Sequence, residues 1–483
     1  MATQKQNYTS ALIVLTSLFF MWGFITCMND ILIPFFKKMF DLDRFQSMMV
    51  QFAFFTAYFI GSLIYFIISA RRGDPISKIG YKNGIIWGLS ISAFACLMFY
   101  PAAELQVFGL FLAALFILAL GFTLLQIAAN PYVALLGPAE TASSRLNLSQ
   151  AFNSLGTTIA PIIGGYLVFH YFARMGTPLI NPEGIPVVTA TGEPLSALGI
   201  QLPYLIFAVI FIALAILIKY TNLPQFTSSL NSEKGAGALR HSNLLLGGIA
   251  IFMYVGAEVT IGSSFINYAF EILAYPEMEA KNFLAFYWGG AMIGRFLGAI
   301  SLSHIEKFKK YLYMLATSIL TFFLIYGIIY IESGYAFEFK RITPFLIFLA
   351  LNYIGFIIGR SLPGRTLAIF AVIVIGLLTT TLVSNGLVAL WTIIGIGLFN
   401  SIMWSNIFTL AIKDLEKNTA QGSSFLVMMI LGGAIIPVLQ GAVADSLHGY
   451  HLSYFIPIFC YAYLVFYGWK GYVSRKRELL LLR

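Results

Sequence analysis

The sequence predicts an all-α integral membrane fold: two six-helix bundles joined by a linker, with an extra transmembrane helix pair inserted in the C-terminal half. Three observations predict it. The composition is 59% hydrophobic and only 10% charged over 483 residues, whereas soluble domains carry about 25% charged residues. Long apolar runs follow one another from end to end, and a segment of the first half recurs without gaps in the second.

The first span covers residues 11–36. Its run 11–28 (ALIVLTSLFFMWGFITCM) holds no charge before Asn29 and Asp30 arrive near its far end; a run of that length reads as a helix crossing a bilayer. A cleaved leader is not expected, because no small-residue cleavage site follows. Further spans fall at 46–70, 83–100, 105–136 (interrupted by Asn130-Pro131), 146–172 and 202–220. Between the fifth and sixth lies a Pro- and Gly-rich stretch, 173–201, expected as a loop with a small hairpin at 186–193. A polar, basic linker at 222–242 separates the halves. Spans at 243–273, 283–303, 311–331, 342–358, 366–383, 386–412, 423–443 and 452–472 bring the series to fourteen.

The net charge of +9 sits in short loops between apolar runs, which orients a membrane protein and does not make a nucleic-acid surface. With the N-terminus inside, 21 of the 29 Lys and Arg residues fall on the cytoplasmic side, seven fall outside and one, Arg295, lies within a span. Both termini are therefore expected in the cytoplasm. The three cysteines, Cys27, Cys96 and Cys460, lie inside apolar runs. They build neither a disulfide framework nor a metal site.

The repeat aligns 129–165 with 405–441 at an offset of 276, pairing Asn130 with Asn406, Glu140 with Glu416, Gly156 with Gly432 and Pro161 with Pro437. Earlier in the chain, Phe20-Met21-Trp22 matches Phe252-Met253-Tyr254 at an offset of 232. Two parallel halves with a site between them are the architecture of the major facilitator fold. This assigns 1–221 to an N-terminal bundle, 222–242 to a cytoplasmic linker and 243–483 to a C-terminal bundle. The offsets differ by 44 residues, about one transmembrane hairpin at ~20 residues per helix. An inserted pair is therefore expected within about 310–360.

Polar residues inside the spans are the candidate site. Asp30 and Glu258 are acids in the first helices of the two halves, and Glu258 is mid-span with no Lys or Arg in its own helix. Such acids mark ion or substrate paths. Gln126 and Asn130, four apart, share a helix face. Asn147, Gln150, Asn153-Ser154 and Thr157 form an uncharged stripe on the next span, either a hydrophilic path or interhelical hydrogen bonding. Amides offer paired donors and acceptors to hydroxyls, so Asn29, Gln126, Asn130, Gln150, Asn153, Asn267 and Asn406, with Trp22 and Trp404 as ring-covering faces, are the candidate set for a neutral polyhydroxylated ligand. Arg295 reads as a snorkelling side chain or a structural ion pair. No P-loop, nucleophile–base pair or metal cluster is found, so an enzyme is not expected.

Several strings carry a more specific resemblance: Phe20-Met21-Trp22-Gly23-Phe24 with Asn29-Asp30-Ile31-Leu32, Leu-Gln-Ile-Ala-Ala-Asn-Pro-Tyr (125–132), Leu136-Gly137-Pro138, Arg-Leu-Asn-Leu-Ser-Gln-Ala-Phe-Asn-Ser-Leu-Gly (145–156) and Gly-Ser-Ser-Phe-Leu-Val-Met (422–428). In these the chain resembles the bacterial fucose permeases and glucose/galactose permeases of the fucose–proton symporter branch of the major facilitator superfamily. The resemblance implies hexose–proton symport by alternating access in a bacterial inner membrane, with the proton-linked Asp falling on Asp30 and the amide of a Phe-Asn-Ser motif on Asn153. Fucose permeases carry Glu where this chain has Gln126 and Gln where it has Glu258, so the glucose/galactose-like branch resembles it better. The partners then expected are a small neutral sugar, membrane lipid and a coupling cation, H+, with no other cofactor, no nucleic acid and a monomeric state. Two other classes stay open: an exporter of amphiphilic small molecules with the same fold, and a non-transporting membrane sugar sensor.

Overall fold

The computed structural model describes residues 8–39, 44–167, 171–172, 175, 177–180, 184–186, 188, 196–224, 226 and 234–473; the side chains of 29–39, 44–51, 162, 164, 165, 277 and 278 lie outside that description. Among the described residues the chain is all-helical, and twelve helices are long and apolar enough to cross a membrane. The N-terminal half holds α1 (Thr9–Met39), α2 (Arg44–Arg72), a short α3 (Pro75–Ile79), α4 (Tyr81–Leu105), α5 (Phe108–Leu135), α6 (Ala142–Tyr166) and α7 (Leu198–Tyr220). The expected hairpin at 186–193 falls mostly outside the described residues; nearby, isolated bridges pair Pro178 with Ser196 and Ile180 with Pro186.

The second half continues with α8 (Ser242–Leu273), α9 (Glu277–Ser301), α10 (Lys307–Glu332), the shorter apolar α11 (Phe345–Gly359), α12 (Pro363–Val383), α13 (Gly386–Asn400) and α14 (Met403–Ala411). It ends with α15 (Thr419–Met428), α16 (Gly432–Ser446), a one-turn α17 (Tyr450–Ser453) and α18 (Phe455–Phe466). In the first half α1 packs on α6, α2 on α5, and α4 on α5 and α7. The second half repeats this order: α8 packs on α16, α9 on α13, and α12 on α13 and α18. The helices α10 and α11 stand outside that correspondence, against α9 and against α12 and α13 respectively.

The repeat is visible at the closest helix crossings. A Cβ on Gly156 would run into the Phe20 carbonyl, and one on Gly432 into the Phe252 carbonyl. These pairs are related by the two sequence offsets, 276 for the glycines and 232 for the phenylalanines. Glycine is required at both crossings because backbone meets backbone there. The turn between α5 and α6 is held by Arg145, whose guanidinium donates to the carbonyl oxygens of Val133 at 3.1 Å, Ala134 at 2.6 Å and Pro138 at 3.0 Å. A cation is favoured at the end of α5, where the last carbonyls have no helical partner.

The loops expected on one side of the membrane gather at one end. Lys82 Nζ donates to the Thr221 carbonyl at 2.9 Å, and Lys310 Nζ donates to the Ser301 carbonyl at 3.0 Å and Ser361 Oγ at 2.9 Å. A cavity of about 1310 Å³ opens there, lined by residues at the helix ends and loops of both halves such as Ser77, Glu140, Ser303, Arg365 and Lys413. The same end carries a joint between α2, the linker and α15. Gln421 Nε2 donates to Ser69 Oγ and to the Gly235 carbonyl, both at 3.1 Å, while its Oε1 accepts from the Ala238 amide at 3.0 Å.

Candidate functional site

The first half contributes a patch of uncharged amides. Gln126 and Asn130 stand one helical turn apart on α5, both buried. Gln150, on α6, donates through Nε2 to Asn130 Oδ1 at 3.4 Å, and Asn130 Nδ2 finds no partner. The Tyr58 hydroxyl of α2 meets Gln126 and Trp22. Trp22 is 7% exposed and packs against Phe19 and Phe122 at ring-centroid distances of 5.5 and 6.0 Å. Gln126 and Asn130 thus share a face of α5, as their spacing predicts, with Gln150 of α6, Tyr58 of α2 and Trp22 of α1 beside them.

The second half contributes charge. Glu258, on α8, is 9% exposed. Its Oε1 lies 4.0 Å from Arg295 Nη2 on α9 and makes no hydrogen bond. The Tyr254 hydroxyl, one turn back on α8, faces the carboxyl without completing a hydrogen bond. Around the backbone of Glu258 runs a polar chain that the sequence reading did not single out. Tyr287 donates to the Glu258 carbonyl at 3.1 Å, Asn400 Nδ2 donates to the Tyr287 hydroxyl at 2.9 Å, and Tyr461 donates to Asn400 Oδ1 at 2.7 Å. Asn400, the amide of a largely apolar helix, was the available signal, since a buried amide in a membrane must find partners.

The seam between the halves runs along α6. Ser143 Oγ and Thr409 Oγ1 are 2.6 Å apart, Ser144 bonds the Ala299 carbonyl, Asn147 Nδ2 donates to Asn406 Oδ1 at 3.1 Å, and Arg295 donates to Ser154 Oγ. The two repeat-related amides thus both reach α6, Asn130 through Gln150 and Asn406 through Asn147. The uncharged stripe on α6 is therefore in large part a zipper of interhelical hydrogen bonds. Asn153 follows suit: it is half-buried, and its Nδ2 donates to the Phe19 carbonyl of α1 at 2.9 Å. Of the two readings of Arg295, the structure favours the ion pair over snorkelling. Its stem points into the bundle because Ser154, the Ser401 carbonyl at 3.2 Å and Glu258 offer it partners away from water.

Of the remaining candidates, Trp404 is buried, stacked on Phe408 at 6.0 Å, with its indole N–H unpaired. Asn406 is fully buried and also donates to the Pro363 carbonyl at 3.2 Å. Asn267 is exposed, nine residues or about 14 Å along α8 from Glu258, and is not brought to the other residues. Asn29 and Asp30 lie within α1, and their side chains fall outside the described residues.

Comparison with known proteins agrees with this architecture. The chain is 40% identical over 474 residues to a "Glucose/galactose transporter" of Brucella abortus, covering 97% of this chain and 96% of that one. It is 32% identical to the "L-fucose-proton symporter" of Escherichia coli, over 97% of this chain and 94% of that one. A crystal structure of the transporter FucP in the outward conformation superposes with a TM-score of 0.72 at 30% identity, covering 95% of this chain and 98% of that chain. The Major Facilitator Superfamily model matches residues 11–361, and this multi-pass membrane protein belongs to that family.

Proposed function

We propose that the chain is not an enzyme but a secondary transporter that imports a neutral hexose, of the glucose/galactose or fucose type, by symport with a cation, H+, through alternating access. The observation that carries this reading is that buried donors without a partner occur in both bundles among the described residues, Asn130 Nδ2 in the first and Trp404 Nε1 in the second among them. An unmet buried donor costs about 1–3 kcal/mol, and a ligand rich in hydroxyls relieves it. A bulky apolar substrate, or a cation without acceptors, would not. The names of the relatives support the same class.

In this reading Asp30 and Glu258 handle the cation. Trp22, Asn29, Gln126, Asn130, Gln150, Asn153, Trp404 and Asn406 face the sugar or hold those that do, and Asn267, which stands apart from them, is left out of the set. The bundles 1–221 and 243–483 rock about the linker 222–242, and α10–α11 are the inserted pair, a view supported by their place outside the repeated packing order. The protein works as a monomer in a bacterial inner membrane with both termini cytoplasmic and no resident cofactor. Counterflow in proteoliposomes against a panel of hexoses, with pH and sodium varied, tests it. Saturable exchange of a neutral hexose that becomes concentrative under an inward proton gradient is expected; exchange of none of them, or concentration driven by sodium alone, contradicts it.

A further inference from the structure

Among the described residues, Arg295 reaches both the buried carboxyl and the opposite bundle. One arm of its guanidinium approaches Glu258, on the neighbouring helix of its own half, at 4.0 Å. The other donates to Ser154 on α6, across the seam. Its Nε holds the Ser401 carbonyl at 3.2 Å, between α13 and α14. With its residue surroundings this dry (side-chain exposures of 14% for Arg295 and 12% for Glu258), the charge on one partner strongly affects where the other rests. The helices around the arginine leave little room: a Cβ on Gly294 would clash with Ser401, and one on Gly298 with Ile402. The guanidinium is therefore held among three groups, Glu258 and the Ser401 carbonyl of its own bundle and Ser154 of the other.

We propose that Arg295 is a positioning residue that links the protonation state of Glu258 to the contact between the bundles at Ser154. This rests on the symport reading above. When Glu258 is ionised, the guanidinium is shared between the carboxylate and the serine. When Glu258 takes up a proton, the full positive charge is left to the Ser154 and Ser401 oxygens, and the α6–α9 seam carries a different load. The ionisable groups facing Glu258 are Tyr254 on α8, Arg295 and Tyr287 on α9 and Tyr461 on α18. The helices α13, α14 and α15, which also pack on α8, contain no ionisable side chain, and α16 has only Asp445, in its last turn.

The test is hexose counterflow in proteoliposomes at equal pH on both sides, measured from about pH 5 to 9 for the wild-type chain, Glu258→Gln, Arg295→Lys and Ser154→Ala. The wild type should show a sigmoidal pH dependence that Glu258→Gln flattens. Arg295→Lys keeps the charge but loses the fork, and Ser154→Ala loses only the acceptor across the seam. Each should displace the midpoint by about half a pH unit or more, a threefold change in the proton equilibrium. Midpoints for both variants within about 0.2 units of wild type would overturn the link while leaving the symport reading intact. A flat wild-type profile, or an unchanged profile in Glu258→Gln, overturns the assignment of the cation to Glu258 and the link with it. If Arg295→Lys does not insert as a monodisperse protein, Ser154→Ala decides the matter alone.

Discussion

The two bundles share a skeleton and differ in chemistry. At the crossings α1–α6 and α8–α16 the same contact recurs, Gly156 on the Phe20 carbonyl and Gly432 on the Phe252 carbonyl. Beside those crossings the first half places Gln126, Asn130 and Gln150, all neutral, whereas the second places Glu258 and Arg295 within a ring of tyrosines and Asn400. Backbone packing tolerates no divergence where carbonyl meets glycine. The side chains that face inward are free of that constraint, so the halves of a duplicated fold can differ: the described amide patch lies in the first, the buried ion pair of Glu258 and Arg295 in the second, and in the proposed reading each half adds one acid, Asp30 or Glu258, for the cation.

The largest effect that would sharpen this division is on coupling. Asp30→Asn should abolish accumulation of sugar against its gradient, leaving only equilibration, because an amide cannot carry the proton; a variant that still concentrates sugar removes Asp30 from the mechanism. Next comes Glu258→Gln, expected to lower proton-driven uptake by about tenfold or more, equivalent to ~1.4 kcal/mol. Its control is Glu104→Gln, an exposed acid near the end of α4 that accepts from Gln201 at 3.0 Å. Equal uptake by the two variants would end the distinction between the bundles.

The shared skeleton is tested by Gly156→Ala and Gly432→Ala. Each forces a methyl into an opposing carbonyl and should cost about 1–3 kcal/mol as overpacking, read as a loss of thermal stability in detergent. A large loss at one crossing and none at the other would mean that the repeat is not structural at that point.

The smallest effect concerns Asp74, just past the end of α2. Its carboxylate accepts from the Tyr65 hydroxyl and from the Ile76 amide at 3.0 Å, capping α3. Burial holds its carboxyl above the usual carboxylate range, against the hydrogen bonds that favour the charged form. The folded state therefore binds the proton more tightly than the unfolded one. Stability tied to this group is greatest in acid and declines as pH rises from about 4 towards the folded-state value. Asp74→Asn has no such titration and should gain on the wild type in melting temperature between about pH 4 and 7. Parallel curves would contradict this.

Much of the architecture was legible because a bilayer imposes long apolar runs and because duplication left aligned glycines and asparagines. The amide patch was legible too, since Gln126 and Asn130 share a helical face whatever surrounds them. The α6 stripe was harder: spacing shows which side chains share a face but not whether ligand or another helix lies opposite, and Asn147, Asn153 and Ser154 proved to bond neighbouring helices. For Arg295 the spacing left snorkelling and an ion pair both open, because the partners that decide between them come from α6, α8 and the α13–α14 junction, distant in sequence. Tyr287 and Tyr461 were passed over because a tyrosine in an apolar helix looks like packing until its hydroxyl is seen to bond.

The most direct test of the central claim, that neutral amides take the sugar while the acids Asp30 and Glu258 handle the cation, is to record internal pH in proteoliposomes on adding hexose outside, alongside counterflow in the same preparation. Wild-type vesicles should acidify with sugar, and Glu258→Gln vesicles should exchange sugar without acidifying. Acidification of Glu258→Gln vesicles at the wild-type rate would contradict the claim.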